Sequence, residues 1–331
     1  MDIMYTTDDR YLEIMLTSLH SLVVNSKLDK IRLHIVTQNC NINHLDMIKR
    51  FVDQYNNIEL HLYRLEDNPI DSYNIPNWRG AQIGNARLFY PRIIKDNTSD
   101  INNLLYIDSD TIVVNDLSQL KNYNGPINAC LDDAVLKRSI NSSLGLDKYY
   151  NSGVLYFNID EYLKLDMEYR IKDYLSSESN KNLKFPDQDL LNLLLKNEIS
   201  TLPQRYNYSA FAMLFQGLDS RLFFNDKIRQ VSHKVITEER NNAVVLHSYG
   251  LSDIKPWTNN GVNPFNNLFM EHMKYINNDY EREELDKLKK ILSLYPTLFR
   301  YMYVFRSYLP DNVQKTLSIN SLILMRNKKE S

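Results

Sequence analysis

The stretch LLYIDSDTIVV, residues 104–114, carries most of what the sequence predicts about the fold. Its first four residues are apolar and indicate a fully buried strand, which stops at Asp108, Ser109 and Asp110 before a second apolar run begins. Carboxylates beside a buried strand end are unfavourable unless a cation or hydrogen-bond donors compensate them. The stretch therefore predicts a divalent-metal site at the end of a core strand. The simpler alternative is a loop with capping aspartates.

Strand-like and helix-like segments alternate around this stretch. Strands are predicted at 2–5, 31–37, 58–65, 127–131, 153–158 and 243–246, and helices at 12–22, 42–55, 86–94, 159–175 and 188–195. Repeated strand–helix units predict an α/β fold with a mostly parallel sheet covered by helices. In such sheets ligands collect beyond the carboxyl ends of the strands, where Thr6-Thr7-Asp8-Asp9 and Asp108-Ser109-Asp110 both lie.

Composition and charge narrow the class of protein. The chain has 331 residues and a formal net charge of −2, so nothing indicates a nucleic-acid partner. Two cysteines without a CxxC spacing predict a reducing compartment. The N-terminus lacks the pattern of a signal peptide, and no apolar run of about 18 residues is present. We expect a cytoplasmic protein.

The character of the sequence changes near residue 271. Residues 281–294 predict a charged helix, and residues 296–331 are aromatic and contain six Lys or Arg against two acidic residues. We expect a catalytic domain over residues 1–270 and a helical appendage over residues 271–331. A basic aromatic tail fits a packed helical cap, docking of a partner, or peripheral contact with an anionic membrane at its inner face.

The DxD pattern alone is uninformative. Chance supplies about two Asp pairs at this spacing, and two are present, Asp108/Asp110 and Asp187/Asp189. The phosphatases of the haloacid-dehalogenase type, in which an aspartate is the nucleophile, also have a strand that ends in a DxD motif, of the form DxDxT or DxDxV. That scheme usually opens the chain, whereas here three predicted strand–helix units precede the motif.

Several motifs in order resolve the ambiguity. They are TTDDRY (6–11), NARLFYPRII (85–94), LLYIDSDTIVV (104–114), YYNSGVLYFN (149–158), FPDQDLLN (185–192), and LHSYG (246–250) followed by KPW (255–257). Up to about residue 267 the chain resembles glycosyltransferase family 8, the retaining UDP-sugar transferases that include bacterial lipopolysaccharide galactosyl- and glucosyltransferases. The resemblance implies a GT-A fold.

The resemblance also implies a metal site. Asp108 and Asp110 would be ligands and His247 the third, with Ser109 between the two carboxylates. Two carboxylates, one imidazole and diphosphate oxygens form a mainly hard set of ligands, and the nitrogen favours Mn²⁺ over Mg²⁺. A single His after an apolar strand is more often structural, but its place within HSYG and KPW reverses that expectation.

Further residues would hold the donor, UDP-galactose or UDP-glucose. Thr6, Thr7 and Asp8 match the segment that wraps the uridine, although Asp8 also suits a helix cap, and Arg10 replaces a smaller amide. Arg87 would bind the diphosphate or the sugar. After Gly250, Lys255 would offset charge on the leaving UDP, but this spacing is two residues longer than the usual one.

Asn151, Asp187 and Gln188 match the residues that contact the transferred hexose, and the resemblance implies catalytic roles for Gln188, Asp187 and Lys255. Gln188 is a poor nucleophile, and Asp132 is the nearest other carboxylate. We therefore expect front-face attack on the sugar. The predicted acceptor is a glycan, glycolipid or glycoprotein contacted through loops such as residues 137–146. A non-catalytic sugar-nucleotide-binding protein of the same fold is the rival outside enzymes.

Overall fold

The computed structural model describes residues 1–67, 70, 73, 75–76, 82–177, 183–251, 254–285 and 296–309. Within these ranges the strands are β1 Asp2–Asp8, β2 Ile31–Gln38, β3 Ile58–Arg64, β4 Asn103–Ile107, β5 Thr111–Val113, β6 Ile127–Leu131, β7 Tyr150–Asn158, β8 Ile199–Thr201, β9 Tyr208–Ser209 and β10 Val245–His247.

The helices of the same ranges cover both faces of the sheet. They are α1 Leu12–Asn25, α2 Ile42–Val52, α3 Ala86–Asn97, α4 Lys137–Leu144, α5 Ile159–Leu163, α6 Met167–Ser176, α7 Pro186–Leu194, α8 Ala210–Leu214, α9 Gly217–Phe223, α10 His233–Arg240, α11 Asn266–Ile276 and α12 Pro296–Ser307. Short 3₁₀ turns at Ile83–Asn85, Ser118–Asn122 and Gln204–Asn207 link some of them.

The large sheet has the strand order β3-β2-β1-β4-β7-β6-β8. Strands β3, β2, β1 and β4 run parallel, β7 runs against its neighbours β4 and β6, and β6 pairs parallel with β8. The prediction of a mostly parallel α/β sheet is therefore confirmed. Buried side chains such as Leu16 of α1 and Ile48 of α2 pack on one face, and Leu88 of α3 and Leu191 of α7 pack on the other.

A second sheet of three short strands, in the order β5-β10-β9, lies beside the first. Strand β10 pairs antiparallel with β5, with His247 opposite Thr111, and parallel with β9, with His247 opposite Ser209. Strand β5 begins directly after the DxD motif. The small sheet thus brings a distant part of the chain to Asp110.

Three predicted elements differ in the structure. The helix expected over residues 159–175 is two helices, because the chain turns at Asp166, whose φ of 47° is left-handed. The loop expected over residues 137–146 contains α4, which ends at Gly145 with a φ of 64°. Residues 281–285 of the predicted helix at 281–294 are not helical, and Glu283 instead pairs with Thr258. The rest of that segment lies outside the described residues.

The described part of the C-terminal region packs on the α/β layers. Helix α11 crosses the predicted boundary at residue 270 and lies against α1, where the Thr17 hydroxyl donates to the Met273 sulfur at 3.5 Å. Helix α12 lies on α9, held by an ion pair of 3.4 Å between Arg300 and Asp219. Among the described residues, no helix has the length and apolar character needed to cross a membrane. The division into two domains stays a prediction.

Candidate active site

Polar side chains gather at one edge of the large sheet. Asp8 ends β1, Asp108 follows β4 and Asp132 follows β6, so all three lie at the carboxyl ends of strands that run in the same direction. Strand β7 is antiparallel, so its first residues, including Asn151, reach the same edge. The topology alone brings together motifs that are far apart in sequence.

A three-residue cluster forms where the two sheets meet. The β5–β10 register sets His247 opposite Thr111, and the His247 Nε2 lies 3.0 Å from Asp110 Oδ1 and 3.7 Å from Asp108 Oδ2. Asp108, Asp110 and His247 each offer a ligand atom within 4.8 Å of the others. Two carboxylates and an imidazole with this spacing can hold one divalent cation, and the hard oxygens with one nitrogen suit Mn²⁺.

Space for a cation depends on Gly153. A Cβ atom at this position would lie 2.1 Å from the Cε1 of His247 and 2.6 Å from Asp108 Oδ2. No side chain fits there without displacing the candidate ligands. The cluster of Asp108, Asp110 and His247 therefore requires a glycine at position 153.

Two cations flank the cluster. The Arg87 guanidinium lies 3.0 Å from Asp108 Oδ1, and the Lys255 ammonium lies 2.5 Å from Asp110 Oδ2. Lys255 therefore reaches the carboxylate cluster across the lengthened loop after Gly250. Arg87 is buried rather than on the helix surface, and its guanidinium also donates to the Ser152 carbonyl at 2.8 Å.

These pairings shift the ionisation of the cluster. Burial acts to raise the pKa of Asp110, but Lys255 and His247 outweigh it and hold that pKa well below its ordinary value. Burial acts to lower the pKa of Arg87, and Asp108, Tyr106 and Asp187 raise it above its ordinary value. Asp110 and Arg87 are therefore charged across the physiological range.

A second network continues from the cluster into β7 and α7. The Gln188 side-chain oxygen accepts from the Ser152 backbone N–H at 3.0 Å and from the Asn151 amide at 3.2 Å. The Gln188 amide nitrogen donates to Asp132 Oδ2 at 3.1 Å. Asp187 accepts from the Ser152 hydroxyl at 2.9 Å and pairs with Arg87 at 3.3 Å. The predicted sugar-contact residues thus form one connected set with the metal cluster.

An acidic pair lies beneath this network. Asp132 and Asp133 are both buried, and burial raises the pKa of Asp132. Burial and the neighbouring Asp132 raise the pKa of Asp133 to about 7. Asp133 accepts from the Ser209 hydroxyl at 2.8 Å and the Tyr249 hydroxyl at 3.1 Å, so it ties the segment after β10 to β6.

The residues predicted to hold the nucleotide, at the end of β1, are less tightly connected to the other residues of the site. The Ser109 hydroxyl donates to the Thr6 carbonyl at 2.8 Å, which joins β1 to the DxD turn. The Thr7 hydroxyl donates to the Asp8 carbonyl. Asp8 accepts from the backbone N–H groups of Arg10 and Tyr11 and forms an ion pair of 2.6 Å with the Arg10 guanidinium. Asp8 therefore holds the turn before α1, but it is not the N-cap of that helix: the N-cap is Tyr11, which has no side-chain cap bond, so the capping alternative for Asp8 is wrong.

Gly250 contributes to the site through its backbone conformation. Its φ of 90° lies in the left-handed region, and a Cβ atom would lie 2.0 Å from the Phe211 ring. Only glycine allows the chain to turn here beside that ring.

Sequence reasoning missed several residues of the site. Tyr106, Ser152 and Gly153 stand inside quoted motifs but had no individual role, and Asp133 and Asn207 had no role in the predicted transferase site. Tyr106 donates to Asp108 Oδ1 at 2.5 Å, and Asn207 lies 2.8 Å from His247 Nδ1. The YN dipeptide that contains Asn207 has no feature that would distinguish it from the other asparagines before the fold is known.

Comparison with known proteins agrees with this geometry. Residues 2–261 match the family described as Glycosyl transferase family 8. The chain belongs to this family. An Escherichia coli lipopolysaccharide 1,2-glucosyltransferase is 27% identical over 301 residues, covering 84% of this chain and 86% of its own.

Solved glycosyltransferases share the fold. The galactosyltransferase LgtC, solved with donor and acceptor sugar analogues, superposes with a TM-score of 0.61 at 21% identity, covering 84% of this chain and 96% of its own. The bifunctional glycosyltransferase WbbM superposes with a TM-score of 0.63 at 16% identity. It covers 82% of this chain, which spans about half, 49%, of WbbM. The GT-A architecture predicted for this family 8 chain is therefore confirmed.

Proposed function

We propose that this family 8 enzyme transfers galactose or glucose from a UDP-sugar to a glycan, glycolipid or glycoprotein acceptor, using a divalent metal ion. The observation that carries the proposal is the cluster of Asp108, Asp110 and His247 with Arg87 and Lys255 on its two sides. A metal between carboxylates, next to two fixed cations, suits a diphosphate that gains negative charge as it leaves.

The donor set favours Mn²⁺, with Mg²⁺ as the second candidate. When bound, the metal would neutralise charge on the diphosphate of the leaving UDP. The protein contributes the positions of its own groups. Lys255 bonds to both Asp110 and the Ser248 carbonyl, which fixes its ammonium beside the cluster. It would offset charge on the same leaving group.

The sugar side supports retention without a covalent intermediate. Gln188 occupies the centre of the β7–α7 network, and an amide is a poor nucleophile. Asp132 touches both Gln188 and Asn151, at 3.1 and 3.2 Å, so its carboxylate is held by amide donors. We expect front-face attack, with a phosphate oxygen of the departing UDP taking the acceptor proton and Gln188 stabilising the cationic sugar carbon.

Asn151, Asp187 and Gln188 would orient the hexose. Their side chains are buried or nearly so and already bonded to one another, so a sugar hydroxyl that failed to replace those bonds would leave polar atoms unpaired. Thr6, Thr7, Asp8 and the DxD turn around Ser109 would hold the nucleotide. Uracil at Asp8 would have to compete with Arg10 for the same carboxylate.

The comparisons support this class of reaction. The Escherichia coli relative is a lipopolysaccharide 1,2-glucosyltransferase, and LgtC is a galactosyltransferase solved with donor and acceptor sugar analogues. Membership of the family removes the dehalogenase-type phosphatase alternative. A non-catalytic binding protein of the same fold is left as an outcome of the assay below.

The assay measures UDP release from UDP-galactose and from UDP-glucose, with Mn²⁺ or with EDTA and with candidate glycan acceptors. We expect release that requires Mn²⁺ and that Asp110→Asn abolishes. Asp46→Asn, a change at a half-exposed position of α2, is the matched control and should leave release unchanged. Absence of Mn²⁺-dependent release from either donor under all acceptor conditions would contradict the proposal.

A further inference from the structure

The segment before β9 connects the two halves of the site. Asn207 ends the 3₁₀ turn Gln204–Asn207 and is fully buried, with 0% of its surface exposed. Its side-chain oxygen lies 2.8 Å from the Nδ1 of His247, and its side-chain nitrogen lies 2.8 Å from Asn151 Oδ1. One amide therefore contacts both a candidate metal ligand and a candidate sugar contact.

The backbone fixes which way these amides face. The Gly153 N–H can only donate, and it lies 2.9 Å from the Asn151 side-chain atom assigned as Oδ1. That atom must therefore be oxygen. Because the same oxygen faces Asn207, the Asn207 atom next to it must be the amide nitrogen, which donates to it. The oxygen of Asn207 then faces His247.

This orientation sets the imidazole. A carbonyl oxygen accepts only, so the His247 Nδ1 must carry a hydrogen and donate it to Asn207. In the neutral ring the lone pair then sits on Nε2, the atom that faces Asp108 and Asp110. A ligating histidine needs that lone pair, and a partner on the other ring nitrogen holds it in place.

The Asn207 amide also contacts the sugar-contact network, through Asn151. With its oxygen occupied by Gly153 and Asn207, Asn151 directs its NH₂ group toward Asp132 Oδ2 and Gln188 Oε1, each at 3.2 Å. A reversed Asn151 would place oxygen against both of those acceptors. The Asn207 amide thus adds a second donor to the Asn151 oxygen that the Gly153 N–H already holds, and supports the donor face that Asn151 presents within the sugar-contact network.

We infer that Asn207 is a positioning residue that fixes the metal-binding tautomer of His247 and, together with the Gly153 N–H, holds the orientation of Asn151 in the sugar-contact network. The inference rests on the proposed metal site and adds a residue to it. It also explains why the small sheet includes β9. Strand β9 pairs parallel with β10, with Ser209 opposite His247. This pairing places Asn207, the residue before β9, beside the imidazole ring of His247.

Two variants separate the two contacts. Asn207→Leu has a similar shape and loses both bonds, whereas Asn207→Asp keeps an acceptor for His247 and loses the donor to Asn151. Loss of a group that orients a metal-ligating histidine weakens metal binding about 10- to 100-fold. We expect a weakening of that size in Asn207→Leu, and Mn²⁺ affinity within about threefold of the unchanged protein in Asn207→Asp.

The readout is Mn²⁺ affinity, measured from the electron paramagnetic resonance signal of free Mn²⁺ during titration. Asn128→Leu is the matched control, because Asn128 is a buried asparagine at the other end of β6 that bonds to the Gly125 and Tyr156 carbonyls. A Leu variant at 207 with unchanged affinity, or an Asp variant as weak as the Leu variant, would overturn the inference.

A measurement on the unchanged protein does not depend on any variant folding. Nitrogen-detected NMR of the histidine rings, with His247 assigned by His247→Gln, reports which ring nitrogen carries hydrogen. We expect a hydrogen on Nδ1, and a bare Nδ1 would refute the inference. Two further variants distinguish failure of the proposed metal site from failure of the role proposed for Asn207. If Asp110→Asn and His247→Gln bind Mn²⁺ normally, the proposed function fails, whereas normal binding by Asn207→Leu alone contradicts only the role of Asn207.

Discussion

Gly153 shows at the residue scale how the absence of a side chain makes room for chemistry. Because an added Cβ would overlap His247 and Asp108, we expect Gly153→Ala to weaken Mn²⁺ binding and UDP release at least 100-fold. Calorimetric Mn²⁺ titration checks this expectation. In the control Gly84→Ala, the added Cβ would meet nothing closer than 3.6 Å, and the backbone carbonyl that holds Arg87 is retained. Equal Mn²⁺ affinity in both variants would contradict this account of Gly153.

The raised pKa of Asp133 predicts how the stability of the protein depends on pH. Its pKa is raised to about 7 in the folded protein, chiefly by burial and then by Asp132, whereas in the unfolded chain it is that of an ordinary aspartate. Between about pH 4 and pH 7 the folded state keeps a proton that the unfolded state has lost, so this carboxyl lowers the free energy of unfolding as pH rises. Arg229 and the Tyr249 hydroxyl, which face the Asp133 carboxyl, act to lower its pKa but do not outweigh burial.

Asp133→Asn should remove that pH dependence. An amide leaves an acceptor and a donor for the Ser209 and Tyr249 hydroxyls, so we expect the variant to gain stability relative to the unchanged protein as pH rises from 4 to 7. The gain should exceed about 1 kcal/mol at pH 8. Urea unfolding across this range measures it, with exposed Asp46→Asn as control. A difference that is constant with pH would contradict the assignment.

The residues that sequence reasoning identified share one property. Asp108, Asp110, His247 and Lys255 lie in motifs whose chemistry is visible from residue type and order. Asn207 and Asp133 act through contacts with residues 40 and 116 positions away, and only the pairing of the strands creates those contacts. Burial of Arg87 was likewise hidden, because a helical arginine gives no sign of the carboxylates that the sheet brings to it.

At the scale of elements, α7 carries two aspartates with different tasks. Asp187 faces Arg87 and Ser152 in the site, whereas Asp189 accepts from the backbone N–H groups of Lys184 and Phe185 at 2.7 and 2.9 Å and from the Tyr149 hydroxyl. The second pair at DxD spacing therefore has one member in the candidate site and one that holds the start of α7, a division that the spacing itself does not reveal.

That division predicts opposite results for two substitutions. Asp189→Ala removes the acceptor that holds the start of α7, so we expect a loss of about 2–3 kcal/mol in the free energy of unfolding, measured with urea. Asp187→Ala should lose less stability and should reduce kcat for sugar transfer about 100-fold or more. If Asp187→Ala were the more destabilised of the two, or Asp189→Ala fully stable, the division would be wrong.

The elements themselves were mostly predictable, because period-two and helical patterns mark buried strands and half-buried helices. The exceptions have local causes. The apolar pattern continues across Asp166, whose left-handed backbone lies between the end of α5 and the start of α6 and redirects the chain. The short strands β5 and β9 have at most three residues each, too few to show a period, yet they pair with the predicted strand that ends near His247 and so place that residue.

At the scale of the whole molecule, α12 presents apolar side chains to solvent. Tyr301, Met302 and Phe305 are exposed, whereas Val304 is buried against the protein. An apolar outer face beside a basic sequence suits an anionic membrane surface, one of the three roles that the tail's composition allows. The basic segment from residue 310 onward lies outside the described residues.

Peripheral attachment can be tested on the full chain. We expect the protein to sediment with vesicles that contain anionic phospholipid, less so at high salt. Replacing Tyr301, Met302 and Phe305 with Ser should reduce that binding severalfold and leave UDP release in solution unchanged. Tyr169→Ser, at a position exposed to 65% on α6, is the matched control. Vesicle binding that is unaffected by the triple change would exclude α12 as the attachment surface.

The candidate metal ligands, the sugar-contact network and Asn207 all lie at the edge of the large sheet where β4, β7 and the small sheet meet. Crystals soaked with UDP and Mn²⁺ and measured at the manganese absorption edge locate the metal directly. We predict one anomalous peak in contact with Asp108, Asp110 and His247 and with the diphosphate of UDP. UDP bound at this edge without such a peak, or with the peak away from these three residues, would contradict the central claim.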